Sequence, residues 1–490
     1  MKRPSTKKGN ASQNLNLLKF VFIFSIFLGS FLFYTHSAHA ATYYISPNGN
    51  DSNDGISVSN PWRTFPHAMD MLKADDTLYL LDGTYAALQS EAVYGGNQVI
   101  IEPAVNSDTG YALHSGSAGA SITIAALHQG KAVLDCGGGS SSYAIWVPNN
   151  MNYFTVQGLN IQNCHIGVML EGNNSDGTHV DHPTIKNCVF HNVDEAVQGA
   201  DFDSNTMIDS NIVYNFAALG ANQDHALYPR GINGTIQNNL VYNNLGNGWS
   251  IQIGSYGTSP SGTWKIINNT LTGSNNTGHQ VCIMFYGVNI SNLYLFNNIC
   301  TGATQALVDG RWGSGYYAEN NLMDSTSQIY TGGCDSNHCF NNLGNTPAGF
   351  VSSSSHDYSL ASGSAAIGAG TNTYAPGYDI AGTTRPQGSG YDIGAYEYAS
   401  SASASNSGTN AYSSSNNSSS SASQASSAEA SSNSSTTDNQ QPAINSSATN
   451  YSIADALKLV ADWFSGNAGA DVNKDGKINI QDLGVIMSRW

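Results

Sequence analysis

LNIQNCHIG (159–167) returns along the chain as PTIKNCVFHN (183–192), TMIDSNIVYN (206–215), GTIQNNLVYN (234–243), KIINNTLTG (265–273), YLFNNICTG (294–302) and YYAENNLMD (316–324). Each copy joins two short apolar-alternating runs through a pair of small polar residues. The second residues of these pairs are Cys164, Cys188, Asn211, Asn239, Asn269, Asn298 and Asn321, spaced by 24, 23, 28, 30, 29 and 23 residues. A strand-pair-strand phrase at this period marks a repeat architecture. The runs alternate with period two, and no amphipathic helical stretch of useful length interrupts them. The economical solution is an all-β solenoid of parallel strands, one coil per repeat. Equivalent residues of successive coils then stack about 4.8 Å apart. Asn suits such a stack because it tolerates left-handed turn geometry and its amide can hydrogen-bond to the same amide one coil on. Cys164 and Cys188 share that slot and are expected to be buried small apolar side chains.

Composition agrees. Charged residues are 10% of the 490, well below the roughly 25% of ordinary globular chains, and there are 51 glycines. The formal net charge is -17. Between Thr42 and Tyr398 the basic residues are Arg63, Lys73, Lys131, Lys186, Arg230, Lys265, Arg311 and Arg385. No basic stripe exists to neutralise phosphates, so nucleic acid is excluded as a partner. Lys2, Arg3, Lys7, Lys8 and Lys19 precede an apolar run from Phe20 to Tyr34 and the small-x-small triplet Ala38-His39-Ala40. The run is shorter than the roughly 20 residues that cross a bilayer, so residues 1–40 are expected to be a cleaved secretory signal. The mature chain should then lie outside the cell or on its surface, without a membrane span. Seven cysteines in an exported chain permit disulfides, leave one thiol over, and place Cys334 and Cys339 within loop-closing distance. From Ala399 to about Asn450 the sequence falls to Ser, Ala, Asn and Thr, which predicts a disordered linker.

The opening phrase YYISPNGNDSNDGISVSNPWRTFPHAM (43–69), with DTLYLLDGTY (76–85), and the closing phrase HDYSLASGSAAIGAGTNTYAPGYDIAGTTRPQGSGYDIGAYEY (356–398) resemble the two ends of right-handed parallel β-helix proteins of the pectate-lyase-like superfamily. The resemblance covers residues 42–398. It implies a coil that acts on polysaccharide laid along an outer sheet, by elimination or by hydrolysis. Fold alone does not choose between such an enzyme and a non-catalytic glycan-binding or adhesive surface protein.

DVNKDGKINIQD (471–482) places oxygen ligands at the positions of an EF-hand loop: Asp471, Asn473, Asp475, the Lys477 carbonyl, Asn479 and Asp482, with Gly476 at the turn. Ending in Asp and lacking a preceding helix, the loop resembles the dockerin family. That resemblance implies a small α-helical Ca²⁺ module over residues 451–490 that docks on a cohesin-type scaffold protein. Aligned upstream, the companion loop has Ile444, Ser446 and Ala448 at ligand positions, so one Ca²⁺ rather than two is expected.

For catalysis, HIGVML (165–170), EAVQGA (195–200), HALYPR (225–230), WSIQIG (249–254), VCIMFY (281–286) and QALVDG (305–310) align in coil register. The alignment puts Gly167, Val197, Leu227, Ile251, Ile283 and Leu307 in one inward slot, and Gln198, Tyr228 and Gln252 outward. DHALYPRG (224–231) then gathers the catalytic candidates Asp224, His225, Tyr228 and Arg230, with Glu195 one coil before. Arg230 suits a uronate carboxylate, His225 or Tyr228 a proton exchange, and Asp224 or Glu195 the orientation of the imidazole or the holding of Ca²⁺. His225 and Tyr228 have opposite strand parity, so they meet only if His225 lies in the preceding turn. Asp176, Asp181, Asp201 and Asp203 are rival acids. Trp249, Trp264, Tyr256 and Tyr286 are candidates for sugar stacking.

Overall fold

Asparagine amides run through the solenoid as an unbroken ladder. Asn211 Nδ2 donates to Asn239 Oδ1 at 3.0 Å, Asn239 to Asn269 at 3.0 Å, Asn269 to Asn298 at 3.0 Å, Asn298 to Asn321 at 3.0 Å and Asn321 to Asn342 at 3.0 Å. Each Oδ1 also accepts the backbone N–H of the preceding ladder residue, as Asn269 Oδ1 does from Asn239 N at 2.9 Å. The residue before each ladder position is left-handed, with φ of 54° at Asn238, 53° at Asn268, 57° at Asn297 and 54° at Asn320. The first residue of the pair therefore bends the chain, and the second ties that bend to the next coil.

The computed structural model describes residues 40–399 apart from 87–92, 95–96, 103–113, 173–177, 201, 218–224, 255–261, 275–279, 287–289 and 311–314. The expected signal (1–40, all but its last residue), the linker (from residue 400), the calcium module with Asp471 to Asp482, and Asp224 lie outside the described residues. Among the described residues, the strands of the coil form sheets A, B and C with eleven, nine and nine members, most coils giving one strand to each sheet, and a separate antiparallel pair joins Phe350–Ser352 to Asp357–Leu360. Sheet A leads into the Asn corner, sheet B follows it, and sheet C closes the coil. Pairing along the solenoid is parallel, as in Gly234 to Ile267 against Thr263 to Phe296 in sheet A. The described residues thus form a parallel β-helix, with one short α-helix among them, Phe65–Met71, before the second strand. No described helix is long and apolar enough to cross a membrane.

The bore is filled by Val, Ile, Leu and aromatic side chains. Trp264, a candidate for sugar stacking or for the core, is 1% exposed within it, and Gly234 beside it has no room for a Cβ, which would lie 2.3 Å from the indole. Cys164 is not a mere space-filler: it bonds to Cys136 of the preceding coil, while Cys282–Cys300 and Cys334–Cys339 form two further disulfides. Cys188 keeps the expected buried role, and burial pushes its thiol up to about 12.

The C-terminal segment docks on the outward side of the Asn corner. Asn238, Asn268, Asn297 and Asn320 donate to the carbonyls of Tyr378 (3.0 Å), Asp392 (2.9 Å), Thr371 (2.8 Å) and Ala369 (2.6 Å). Arg385 pairs with Glu397 at 2.7 Å and donates to the Ala395 carbonyl at 3.0 Å, fully buried. Asn269→Ala should lower stability by about 3 kcal/mol, since it strands donors and acceptors on both neighbouring coils. Asn192→Ala, at a partly buried corner, should cost under about 1 kcal/mol. Denaturant midpoints of the two variants check the difference.

Candidate functional site

Sheet C does not alternate in period two throughout. Its register pairs Val168 with Val197, Val197 with Leu227, Leu227 with Ile251, Ile251 with Ile283 and Ile283 with Val308. The inward slot therefore holds Val168 and Val308 where the sequence alignment put Gly167 and Leu307. Two consecutive side chains turn inward in each coil, Ala196 with Val197, Ala226 with Leu227, Cys282 with Ile283, and all six are fully buried. Strand bending at this point shifts the parity by one. Residues three apart, not two or four, then share the outer face.

His225 stands just before the strand Leu227–Tyr228, at the bend the parity required, and there meets Tyr228. Their rings meet edge to face with centroids 5.2 Å apart. His225 also stacks on Trp249 of the next coil at 4.9 Å. The Arg230 guanidinium lies 5.8 Å from the Tyr228 ring centroid. Gln198 pairs in register with Tyr228, as expected, and the Glu195 to Gln198 strand places its carboxylate three residues before that pair. Gly254 lies against the phenol, where a Cβ would be 3.0 Å from the Tyr228 ring and 3.1 Å from its hydroxyl.

The expected surface setting of this group is corrected by its burial: Glu195 and His225 are 4% exposed and Tyr228 5%. Arg230 remains half-exposed. The Trp249 backbone N–H donates to His225 Nδ1 at 3.2 Å. A backbone N–H can only donate, so Nδ1 is the acceptor and the ring proton sits on Nε2. Burial pushes the imidazole down to about 3. His225 is thus a neutral, fixed donor through Nε2 rather than a base.

Other candidates separate cleanly. Asp203 is fully buried and accepts from Val180 N at 3.0 Å and Ala200 N at 2.6 Å, the work of a turn staple. Asp181 accepts from Ser204 Oγ at 2.5 Å and Asn205 Nδ2 at 2.9 Å, and these hydrogen bonds hold it below the usual carboxylate range against the opposing effect of burial. Asp176, Asp201 and Tyr256 lie outside the described residues. Trp249 is buried, and among the described stacking candidates Tyr286 is the exposed one. Among the described residues no group of three His, Cys, Asp or Glu gathers to hold a metal ion.

Sequence alignment set His165 in the slot of Glu195 and His225 but missed the aromatic pair at this end of the face. Tyr143 and Trp146 contact edge to face at 5.0 Å, and Tyr143 meets His165 at 5.9 Å. His165 Nδ1 pairs with Asp194 Oδ2 at 2.9 Å. The signal was present as three-residue spacing, Tyr143 to Trp146 matching His225 to Tyr228, and was hidden by the assumption of strict alternation.

Comparison with known proteins places this geometry. The family model described as "Protein of unknown function (DUF1565)" matches residues 47–299, a little over half the chain. Pectate lyase L of Dickeya dadantii (strain 3937) is 30% identical over 156 residues, which are 30% of this chain and 31% of that protein. The match thus spans about a third of that relative's length. The crystal structure of pectate lyase Pel9A superposes with a TM-score of 0.50 at 18% identity, covering 73% of this chain and 96% of that one. At that identity the likeness is one of fold: a pectate-lyase-like parallel β-helix.

The buried imidazole has a pH consequence. His225 is neutral in the folded protein and near the ordinary 6.5 when unfolded, so the unfolded chain binds the extra proton between about pH 3 and 6.5. Its contribution is whole above pH 6.5 and falls as pH drops, by about 2 kcal/mol at pH 5. His225→Gln keeps an acceptor for Trp249 N and should shrink the stability difference between pH 8 and pH 5 by that amount, read from denaturant midpoints at the two pH values.

Proposed function

The chain belongs to the DUF1565 family, and we propose that it is a secreted polysaccharide-degrading enzyme whose glycan lies along the outer face of sheet C. The observation that carries this reading is the contact of Tyr228 with both His225 and Arg230, beside Glu195, on one face of the coil. The name of the Dickeya relative, a pectate lyase, is in line with it.

Elimination in a uronate chain is the chemistry these residues suit. Arg230 pairs with the sugar carboxylate and draws off the charge that builds as the adjacent carbon loses its proton. Tyr228 exchanges that proton. The C–H electron pair becomes the new double bond, and the glycosidic oxygen leaves with the proton that Tyr228 passes on to it. His225 donates through Nε2 and holds its place by the Trp249 N–H, while Glu195 supplies the buried carboxylate that orients the group. Asp224, outside the described residues, is proposed to complete the set as a partner of the imidazole or a ligand of Ca²⁺. Arg230→Ala should lower kcat/KM on a uronate polymer by roughly 10²-fold or more with the fold intact. Ultraviolet absorbance of the unsaturated product measures elimination, and reducing ends measure hydrolysis. Silence across pectate, alginate and neutral polysaccharides, with retention on a glycan column, identifies a binding protein instead.

The domain plan proposed with it is a signal over residues 1–40, the β-helix over 42–398, a linker over 399–450 and a dockerin-like module over 451–490. Asp471, Asn473, Asp475, the Lys477 carbonyl, Asn479 and Asp482 supply the hard oxygen set that Ca²⁺ takes, and the bound ion would relieve the mutual repulsion of the three aspartates. A cohesin-type scaffold protein is the proposed partner of that module. Calorimetric titration of the full chain should find a Ca²⁺ site abolished by Asp471→Ala. Heat unchanged by that substitution would remove the loop from the reading.

A further inference from the structure

Accessibility divides the outer face of sheet C. Tyr143, Trp146, His165, Met169 and Glu171 are half-exposed, whereas Glu195, His225, Tyr228, Trp249 and Gln252 are buried. The open part carries accessible aromatic rings. Trp146 and Tyr143 touch edge to face, and Trp146 Nε1 donates to Glu171 Oε2 at 3.2 Å. His165 stands with its side chain 23% exposed, aligned through Nδ1 by Asp194, which is 2% exposed. An indole, a phenol, an imidazole fixed by a buried carboxylate and a half-exposed carboxylate make the mixed apolar and hydrogen-bonding surface that a sugar ring fits.

Charge decides which sugar. No strand of sheet C contains Lys or Arg. Glu102 follows the strand Asn97–Ile101, whose Ile101 pairs with Ile145, so Glu102 stands beside Trp146 in the adjacent coil. Burial, and then the nearby Glu171 charge, raise its carboxyl. A uronate brought here would meet carboxylates that already repel each other, at a cost that no described cation on these strands offsets. At Arg230 the same carboxylate is welcome. Register carries Trp146 to Met169, Met169 to Gln198 and Gln198 to Tyr228, three interstrand steps or about 14 Å, comparable with about three residues of an extended glycan.

We propose that Tyr143, Trp146, His165 and Glu171 form a neutral-sugar subsite, so that the substrate is a mixed glycan carrying a uronate at Arg230 and neutral residues about three sugars along the same chain. The subsite rests on the reading that glycan lies along sheet C, and it adds the specificity: homopolymers of uronate fit only one half of the face.

Binding calorimetry of the full chain with three probes tests it: polygalacturonate oligomers, rhamnogalacturonan oligomers alternating uronate and neutral sugar, and dextran oligomers. The alternating probe should bind tightest. Trp146→Ala should weaken it about tenfold, and Trp146→Phe, which keeps a stacking ring, should restore most of the loss. Glu171→Gln keeps the acceptor for the indole N–H while removing the charge, and should tighten polygalacturonate binding several-fold. Equal affinity of wild type for polygalacturonate and the alternating probe, with Trp146→Ala within twofold of wild type, overturns the subsite, as does failure of all three probes to bind. Turnover assayed on the same oligomers separates the two readings. Trp146-dependent binding without turnover leaves the subsite standing and sinks the enzyme; turnover indifferent to Trp146 does the reverse.

Discussion

Stacking at a single interstrand spacing governs this molecule. Once coils repeat about every 4.8 Å, each slot meets its own equivalent above and below, and a buried polar group in the stack must find its partner there or in the backbone. Asparagine meets that condition because one amide carries both donor and acceptor. Asn211, Asn239, Asn269, Asn298, Asn321 and Asn342 are therefore satisfied by repetition itself. The ladder also fixes register: a one-residue slip would leave buried amides facing aliphatic neighbours.

Pairs of asparagines recur because the corner does two jobs with opposite requirements. The inner residue must be buried and self-complementary. The outer one must adopt positive φ, and its side chain then points where the returning C-terminal segment can use it. Asn238, Asn268, Asn297 and Asn320 hold the backbone of residues 369–392 this way, and the buried Arg385–Glu397 pair locks the segment to itself. A buried ion pair of this kind is weak evidence for net stability, since desolvation opposes it, yet losing one partner leaves a charge with no water. Its contribution is to specify where the closing segment sits.

Legibility in the sequence follows the same division. Period, corner and ladder were readable because they depend on local chemistry repeated seven times. Sheet C was misread by one residue at Gly167 and Leu307 because strand bending makes two neighbours face inward, which depends on how the bore closes and not on any local residue type. His225 and Tyr228 meet because His225 lies ahead of its strand, the one arrangement their parity allowed. Burial of Trp249 and Trp264 was equally out of reach, since an aromatic reads alike on either face. The Cys136–Cys164 bridge was missed because a cysteine in an Asn slot is first a small apolar side chain, and only the adjacent coil shows its partner.

Low charge density is what lets the site be argued at all. In a chain with 10% charged residues, a solenoid satisfied by amides has little structural need for ions, so a cation or carboxylate on the outer face of sheet C stands against a nearly neutral background. Where a charge is absorbed by the fold the structure says so, as with Asp203 between two backbone N–H groups or Arg385 against Glu397. Arg230 lies half-exposed beside Tyr228, and Glu171 holds an indole N–H at the open end of the same face. On the proposed reading, the fold sorts its few charges into those that close turns and those that would meet a glycan on the sheet. The second group is both cationic and anionic along one line, which is the arrangement a glycan of uniform charge would not match.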